Sequence, residues 1–390
     1  MWKVIDQNCF YSKNLYNYAN YIVRQEFINE GRWIHYQELQ KTLKESEPYK
    51  QLMSQPSQCV LQALDRNWRS YFETIKDWKN HKEKYLGMPR LPKYKKKNGR
   101  FPWFIKNNCA YIKENGDLHF LVKRLNTYNW ITKAKGRLIS IRFIPMGINY
   151  KMEVITEIEV SDIQDYKSKR VCSIDLGVNN FATVTNNIGI KPIIINGKGI
   201  KSYNQYYNKR KAKIQSEVMK RNNKYWSKQL DSINFKRSNV IKNFMHHASK
   251  EVINYCIDNN IDTLVCGHND TWKQNSNMGK RNNQKFLYIP YNIFIQQLKY
   301  KCQNNGIKFI TINESYTSGT SFLDEEMPIK ENYNKSRRIK RGLFQGQNSL
   351  VNSDVNGSLQ IMRKAFSNTI SYEIEGVLNP IVINVVKFTA

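Results

Sequence analysis

Short apolar runs alternate with long amphipathic segments through the second half of the chain, from residue 170 onward. Three runs come first, RVCSIDLG, NFATVTN and KPIIING, and their spacing predicts strands in hairpin order. Two helices are predicted next, over 203–230 and 233–258, followed by the strand IDTLVCG, the helix YNIFIQQLKYKCQNN and the strand GIKFITIN. A last helix is predicted to start near Asp354. This pattern restricts the region to an α/β sheet-and-helix unit.

Three acidic residues fall where such a unit brings carboxylates together. Asp175 lies in mid-strand among apolar neighbours, Glu314 ends the strand KFITINES, and Asp354 opens the last helix. Three hairpin strands followed by helices that alternate with strands is the RNase H plan, in which acids distant in sequence meet at the sheet centre. Singly, each acid has a simpler explanation as a turn residue, a surface residue or a helix N-cap. Together, in this order, they predict one site.

Phosphodiester hydrolysis needs a cluster of this kind. Two Mg²⁺ ions about 4 Å apart steady the attacking water and the leaving oxygen, and hard cations prefer oxygen ligands. An Asp inside an apolar strand costs free energy unless it binds something. We therefore predict that Asp175, Glu314 and Asp354 are catalytic and hold two Mg²⁺ ions, with Mn²⁺ as an alternative.

The chain is strongly basic, with 62 Lys and Arg against 32 Asp and Glu and a formal net charge of +30. This excess predicts a polyanionic partner, because each phosphate neutralised by Lys or Arg releases condensed counterions. Residues 82–106 concentrate the charge, with nine Lys or Arg against the single acid Glu83. Three prolines favour extended backbone there, so the segment is predicted to lie along phosphate; a disordered connector is the alternative. Its nucleic-acid-binding candidates are Lys93, Lys95, Lys96, Lys97 and Arg100.

The first 160 residues predict two kinds of structure. Residues 11–80 are expected to be helical, most clearly over 57–79, where apolar residues recur at three- and four-residue steps. Residues 108–160 are expected to be antiparallel β, with a hairpin turn at Asn115-Gly116. These strands predict a small barrel or sandwich.

Cysteine spacing and hydropathy exclude other classes. The seven cysteines are scattered and never spaced as C-x-x-C, so neither a disulfide framework nor a zinc ribbon is predicted. The N-terminus has no apolar core of a signal peptide, and no apolar run approaches a membrane span. We expect a soluble protein of the reducing bacterial cytoplasm, associated with the nucleoid and without a membrane partner.

The motifs around the acids, SIDLGVNNFATVTN, INESYTS and NSDVNGSLQIMRK, resemble the three RuvC motifs of the transposon-encoded TnpB nucleases. Three further blocks are similar to that family: SKNLYNYANYIVRQEF, PRLPKYKKKNGR and GHNDTWKQNSNMGKRNNQKFLYIPY. The resemblance is collinear and covers essentially the whole chain. It implies an RNA-guided DNA endonuclease with a transposon-end-derived guide RNA. Such an enzyme reads a short transposon-adjacent motif on duplex DNA and cuts with one RuvC site.

An α+β multidomain organisation also follows from the resemblance. An antiparallel β wedge barrel is expected from 1–10 and 86–165, with a helical recognition lobe, 11–85, inserted in it. The RNase H-like (RuvC) α/β nuclease domain is expected over 166–322 and 352–366. Guide RNA and target double-stranded DNA are the implied partners of a monomer, in which base pairing reads sequence and the protein reads motif and helix shape.

Two departures from the family pattern matter. Many TnpB proteins carry paired C-x-x-C motifs for zinc between the second and third motifs, whereas residues 315–354 contain no Cys or His. No zinc is expected, and the insertion at 323–351 is predicted to be a lid held by other contacts. Its Arg338 and Arg341 are candidates to touch the cleaved strand; a solvated loop is the alternative. Residues 1–10 are short for the family's first strand, so the barrel is either incomplete or completed by another segment.

Residues 367–390 are expected to be a C-terminal tail.

Three other functions are alternatives to the RNA-guided endonuclease. A nuclease-impaired RNA-guided repressor would be expected to have lost an acid. A compact type V CRISPR effector would share the chemistry. An unguided junction resolvase needs neither a recognition lobe nor so much basic surface.

A further group of candidate nucleic-acid contacts combines an aromatic ring with amides and cations, which suits an RNA backbone groove. It consists of Trp272, Lys273, Gln274, Lys280 and Gln284.

Overall fold

The structure is a computed structural model that describes residues 2–159, 169–269, 289–340, 342–366 and 375–386. The chain folds as two compact units, Met1–Glu159 and Val160–Ala390. Across the described ranges, no helix is both long and apolar enough to cross a membrane.

The first unit opens with α1 (Trp2–Glu30), α2 (Tyr36–Leu43), α3 (Glu47–Lys50) and α4 (Ser54–Asn80). Buried residues of α1 recur at three- and four-residue steps from Ile5 to Val23, and this face packs against α4. The indole of the buried Trp68 donates a hydrogen bond to Asn20 of α1. Residues 2–10, expected to belong to the β domain, form no strand, because they continue the apolar face of α1. They still pack on that domain: the Tyr150 hydroxyl donates a hydrogen bond to Asp6, and the Cys9 thiol donates one to the Phe143 carbonyl.

The strands of the first unit are β1 (Trp103–Lys106), β2 (Ala110–Ile112), β3 (Leu118–Phe120), β4 (Arg137–Met146) and β5 (Asn149–Glu157). They form a three-stranded antiparallel sheet, β1-β4-β5, and a separate hairpin, β2-β3. The hairpin predicted at Asn115-Gly116 is confirmed as β2-β3, and β4 and β5 form another antiparallel pair. The sheet is covered by α4, and the rings of Trp103 and Phe143 stack 5.3 Å apart on its buried face. Within residues 2–159 the sheet is open, so closure into a barrel stays a prediction.

The strands of the second unit are β6 (Val171–Leu176), β7 (Asn180–Asn186), β8 (Ile193–Asn196), β9 (Thr263–Gly267), β10 (Lys308–Ile312), β11 (Leu343–Gln345), β12 (Leu350–Asn352) and β13 (Ile381–Ile383). Six of them form a sheet in the order β10-β9-β6-β7-β8-β13, and β11-β12 is a separate hairpin. The three strands predicted in hairpin order, β6, β7 and β8, are antiparallel neighbours, and β9 and β10 run parallel to β6. The segment expected to be a C-terminal tail contributes β13, which pairs with β8 at the edge of the sheet.

Helices cover both faces of this sheet. They are α5 (Lys198–Asn222), α6 (Lys228–Asp258), α7 (Tyr291–Asn304) and α8 (Ser353–Ala365). One face packs on α6 and α7 through a core that includes Ile174, whereas Val171 packs with Leu359 of α8 on the other. Because side chains alternate along a strand, the odd-numbered residues of β6 face α8. Asp175 is one of them.

The break between α5 and α6 differs from the prediction, which continued the first helix to residue 230. Asn223 takes φ 50° and ends α5, and the Ser227 hydroxyl accepts a hydrogen bond from the Leu230 backbone N–H to start α6. Residues 223–227 contain neither Gly nor Pro, so in the sequence only Asn223 and Ser227 mark the break.

Candidate active site

Asp175 and Glu314 lie at the carboxyl ends of two parallel strands, β6 and β10, which are separated by β9. β6, β9 and β10 are adjacent and parallel, so these ends meet at one edge of the sheet. Asp175 is the penultimate residue of β6, and Glu314 follows the end of β10 by two residues. Between them, a Cβ on Gly267 of β9 would clash with Ile361 Cδ1 and lie 3.1 Å from Glu314 Oε2. The glycine therefore leaves room for both side chains.

Asp354 reaches the same end of the sheet from the first turn of α8. The Asn352 side-chain oxygen caps this helix by accepting hydrogen bonds from the backbone N–H groups of Asp354 and Val355. One turn on, a Cβ on Gly357 would lie 3.0 Å from Asp175 Oδ2. The missing side chain lets α8 approach β6 closely.

Three buried hydroxyls fix α8 on the sheet. Ser173 Oγ and Thr185 Oγ1 lie 2.7 Å apart, and Thr185 Oγ1 and Ser358 Oγ lie 2.9 Å apart. Ser173 also donates to the Ser358 carbonyl. Because buried hydroxyls must satisfy one another, this cluster sets where α8 sits and thus where Asp354 points.

Negative charge accumulates where the carboxylates meet. Burial raises the pKa of Asp175 well above its usual range, and the charges of Asp354 and Glu314 raise that pKa further. Burial also raises the pKa of Glu314 to about 7. The guanidinium of Arg338 opposes the rise at Asp175. The three carboxylates therefore interact electrostatically.

The site fits a hard divalent cation in charge and donor chemistry. Glu314 Oε2 is buried and accepts no hydrogen bond within the described residues, which is costly unless a cation neutralises it. It is not a preformed ligand set: in the part of the chain described, no group of three or more Asp, Glu, His or Cys is arranged to hold a metal. Asp354 instead accepts hydrogen bonds from Asn180 Nδ2 at 2.6 Å and Arg338 Nη2 at 3.3 Å. A cation would compete with these donors.

A cleft of about 550 Å³ opens beside Asp354, lined by Asn180, Lys198, Arg338 and Lys340 among others. Cations along a groove that leads to carboxylates suit the backbone of a nucleic acid. Arg338 is among the nucleic-acid contacts predicted from the sequence, whereas Asn180 and Lys198 are not. Asn180 stands five residues after Asp175 in the same motif, which is a usable signal, whereas nothing in the sequence links Lys198 to the cleft.

The insertion at 323–351 is attached to α8 through side chains. Arg337 Nη1 lies 2.6 Å from Glu326 Oε1, and the other Glu326 oxygen accepts from the Ser321 backbone N–H. Arg363 of α8 donates to the carbonyls of Phe322 and Glu326 and stacks on the Phe322 ring. These contacts hold the segment that carries Arg338.

The basic candidates of 82–106 divide into three groups. Lys93 and Lys95 line a groove of about 390 Å³ with Tyr16, and Lys96 and Lys97 are exposed. Arg100 is already paired, since its Nη2 lies 2.7 Å from Asp6 Oδ2. The remaining predicted nucleic-acid contacts lie outside the described residues: Trp272, Lys273, Gln274, Lys280, Gln284 and Arg341.

Two family models match the chain. Residues 149–273 match OrfB_IS605, described as a probable transposase, and residues 291–361 match the TNB domain of Cas12f1-like proteins. These matches confirm the resemblance to the TnpB nucleases and to compact type V effectors. No sequence of a curated protein matches the chain.

Two solved structures are loosely similar over most of the chain. One is a chain of a Cas12f1–sgRNA–target DNA complex. The match covers 92% of this chain and 93% of that chain, with 16% sequence identity and a TM-score of 0.38. The other is a chain of a CRISPR–Cas12f ternary complex. The match covers 92% of this chain and 80% of that chain, with 13% sequence identity and a TM-score of 0.40.

Proposed function

We propose that this chain, which resembles the TnpB nucleases, is an RNA-guided DNA endonuclease that cuts at an RNase H-like (RuvC) site. The observation that carries the proposal is the meeting of Asp175, Glu314 and Asp354 at one edge of the sheet. The net charge of +30 supports guide RNA and duplex DNA as partners. The strands β6 to β10 occur in the order expected of an RNase H plan.

The residues of the site divide the work. Asp175, Glu314 and Asp354 would hold two divalent cations, which when bound stabilise charge on the attacking and leaving oxygens. Asn180 orients Asp354 through its 2.6 Å hydrogen bond. Lys198, Arg338 and Lys340, which line the cleft, would bind phosphates of the strand to be cut.

The test uses the full chain co-expressed with RNA transcribed from the DNA that flanks its gene. Co-purifying RNA is sequenced, and duplex targets that match it are supplied with Mg²⁺ and a randomised adjacent sequence. We expect cleavage next to a short preferred motif. Asp175→Ala should abolish cutting while target binding persists, because phosphate contacts elsewhere are unchanged.

The matched control is Asp258→Ala, which removes an exposed carboxylate at the end of α6. This variant should cut as the wild type does. Intact DNA beside every adjacent sequence, together with no co-purifying RNA, would overturn the proposal. Binding without cutting in the wild type would favour the nuclease-impaired repressor.

The match at residues 291–361 favours a second candidate, a compact type V effector with the same chemistry. The two differ in the source of the guide rather than in the site. A repeat array beside the gene, processed into the co-purified RNA, would favour the effector. A transposon end would favour the TnpB type.

A further inference from the structure

The antiparallel helices α5 and α6 have a small core of their own. Tyr207 and Ile214 pack against Leu230 and Ile233, separately from the core under the sheet. Tyr207 also donates a hydrogen bond to Asn234 across the pair. The connection, residues 223–227, which we call the hairpin tip, is fixed at both ends by the Asn223 C-cap and the Ser227 N-cap.

Two adjacent aromatic residues are exposed on this tip. Tyr225 is 78% exposed and Trp226 is 56% exposed. Within the described ranges neither ring packs on another ring or on a cation. Two neighbouring rings held out on a capped turn expose apolar surface that the second unit does not use for its own core.

Four basic residues flank the two rings along the chain. Lys220 and Arg221 end α5, Lys224 precedes Tyr225, and Lys228 starts α6, and all four side chains are exposed. In the described part of the chain none of the four forms an ion pair. This charge is complementary to phosphate, and aromatic rings among cations bind nucleic acid by stacking on bases.

We propose that the hairpin tip is a stacking site for nucleic acid, in which Tyr225 and Trp226 receive an unpaired base or the last base pair of a duplex while the flanking cations bind its phosphates. The inference rests on the proposed function only in that it supplies the class of partner. The shared chemistry is a base with an open face; guide RNA and target DNA are its two sources.

The experiment measures stacking directly. An RNA hairpin with a single-stranded tail carries 2-aminopurine in the tail, and a DNA copy carries the same label. Binding to the full chain should quench the label, since stacking on an aromatic ring quenches this base. Tyr225→Ala/Trp226→Ala should lose the quenching and weaken binding about tenfold. The affinity should persist in Tyr225→Phe/Trp226→Phe, which keeps two rings for stacking. The preferred probe, RNA or DNA, identifies the source.

Tyr21→Ala is the matched control, since Tyr21 is 52% exposed on α1, and it should behave as the wild type. Equal quenching and affinity in the wild type and the Ala double variant would overturn the inference, even if both cut DNA. Anionic lipid vesicles test the alternative that the tip binds a membrane. If the vesicles bind the wild type but not the Ala double variant, and neither probe is quenched, the inference is overturned in favour of a membrane. Absence of both RNA binding and DNA cleavage in the wild type would instead remove the proposed function.

Discussion

Asn180 Nδ2 donates a 2.6 Å hydrogen bond to Asp354 Oδ2 and so joins the start of β7 to the first turn of α8. The other Asp354 oxygen accepts from Arg338 of the insertion at 3.3 Å. The orientation of this carboxylate is therefore set by one donor from the sheet and one from the insertion. Asp175, by contrast, is placed by the sheet itself.

Asn180→Ala should lower the rate of metal-dependent cleavage by about 10- to 100-fold, because residues that orient a metal-binding carboxylate contribute effects of that size. Binding of target DNA should change little. Cleavage rates at saturating Mg²⁺ and binding at matched ionic strength separate the two effects. Asn305→Ala, at the exposed end of α7, is the control. Equal loss of binding would show that Asn180 contacts DNA instead of orienting Asp354.

Gly357→Ala should impair the site although Ala is the better helix former. In an open helix this change stabilises the protein by about 1 kcal/mol. Here the new Cβ would lie 3.0 Å from Asp175 Oδ2, so the carboxylate must shift. We expect slower cleavage and no gain in the free energy of unfolding. Asn254→Ala, on the exposed side of α6, should gain stability and retain cleavage. A more stable and fully active Gly357→Ala variant would contradict the close packing of α8 on β6.

Stabilisation by Mg²⁺ should grow as pH rises through about 7. Burial raises the pKa of Glu314 from its ordinary 4.5 to about 7, and a cation must displace that proton. Without metal, rising pH lowers stability instead, because the folded state retains a proton that the unfolded state has released. The free energy of unfolding therefore falls as pH rises from 4.5 to about 7.

Thermal unfolding with and without Mg²⁺, from pH about 5 to about 8, measures both trends. Glu314→Gln should weaken both trends, since the amide does not titrate, while the buried Asp175 still contributes to them. A Mg²⁺-induced shift in melting temperature that is the same at every pH would show that Glu314 does not titrate with metal binding.

Arg337→Ala should lower the free energy of unfolding of the second unit by about 1–3 kcal/mol, because it leaves Glu326 without its charged partner. The two side chains are only 23% and 17% exposed and lie 2.6 Å apart. Limited proteolysis should then cut 323–351 faster. Arg32→Ala breaks two exposed bridges, to Glu26 and Glu38, and should change stability little. Equal protection of 323–351 in wild type and Arg337→Ala would remove the role assigned to this pair.

The sequence predicts β6 to β10 well, because each is a short apolar run with a distinct neighbour. It does not predict β13, which joins the sheet beside β8 although it lies in the segment expected to be a C-terminal tail. The sequence also singles out the three acids, since Asp175 interrupts such a run, Glu314 follows one and Asp354 opens a helix. Contacts between distant residues are not readable in this way: nothing in the sequence pairs Asn180 with Asp354 or brings Lys198 to the cleft.

The structure departs from the predictions at two further places, each for its own reason. The prediction for residues 1–10 came from the family resemblance, whereas Ile5 and Cys9 continue the helical spacing of α1. The helix end at Asn222 rests on a left-handed Asn223, a conformation that Asn adopts without the signal of Gly or Pro. Local spacing decided the structure at the first place and backbone preference at the second.

The central claim is that Asp175, Glu314 and Asp354 together hold divalent cations. Anomalous diffraction from crystals of the full chain soaked in Mn²⁺ tests it most directly. We predict Mn²⁺ coordinated by these three carboxylates, with Arg338 displaced from Asp354, and no Mn²⁺ there in Asp175→Ala. Mn²⁺ bound only at other residues, or the same site occupied in Asp175→Ala, would contradict the account.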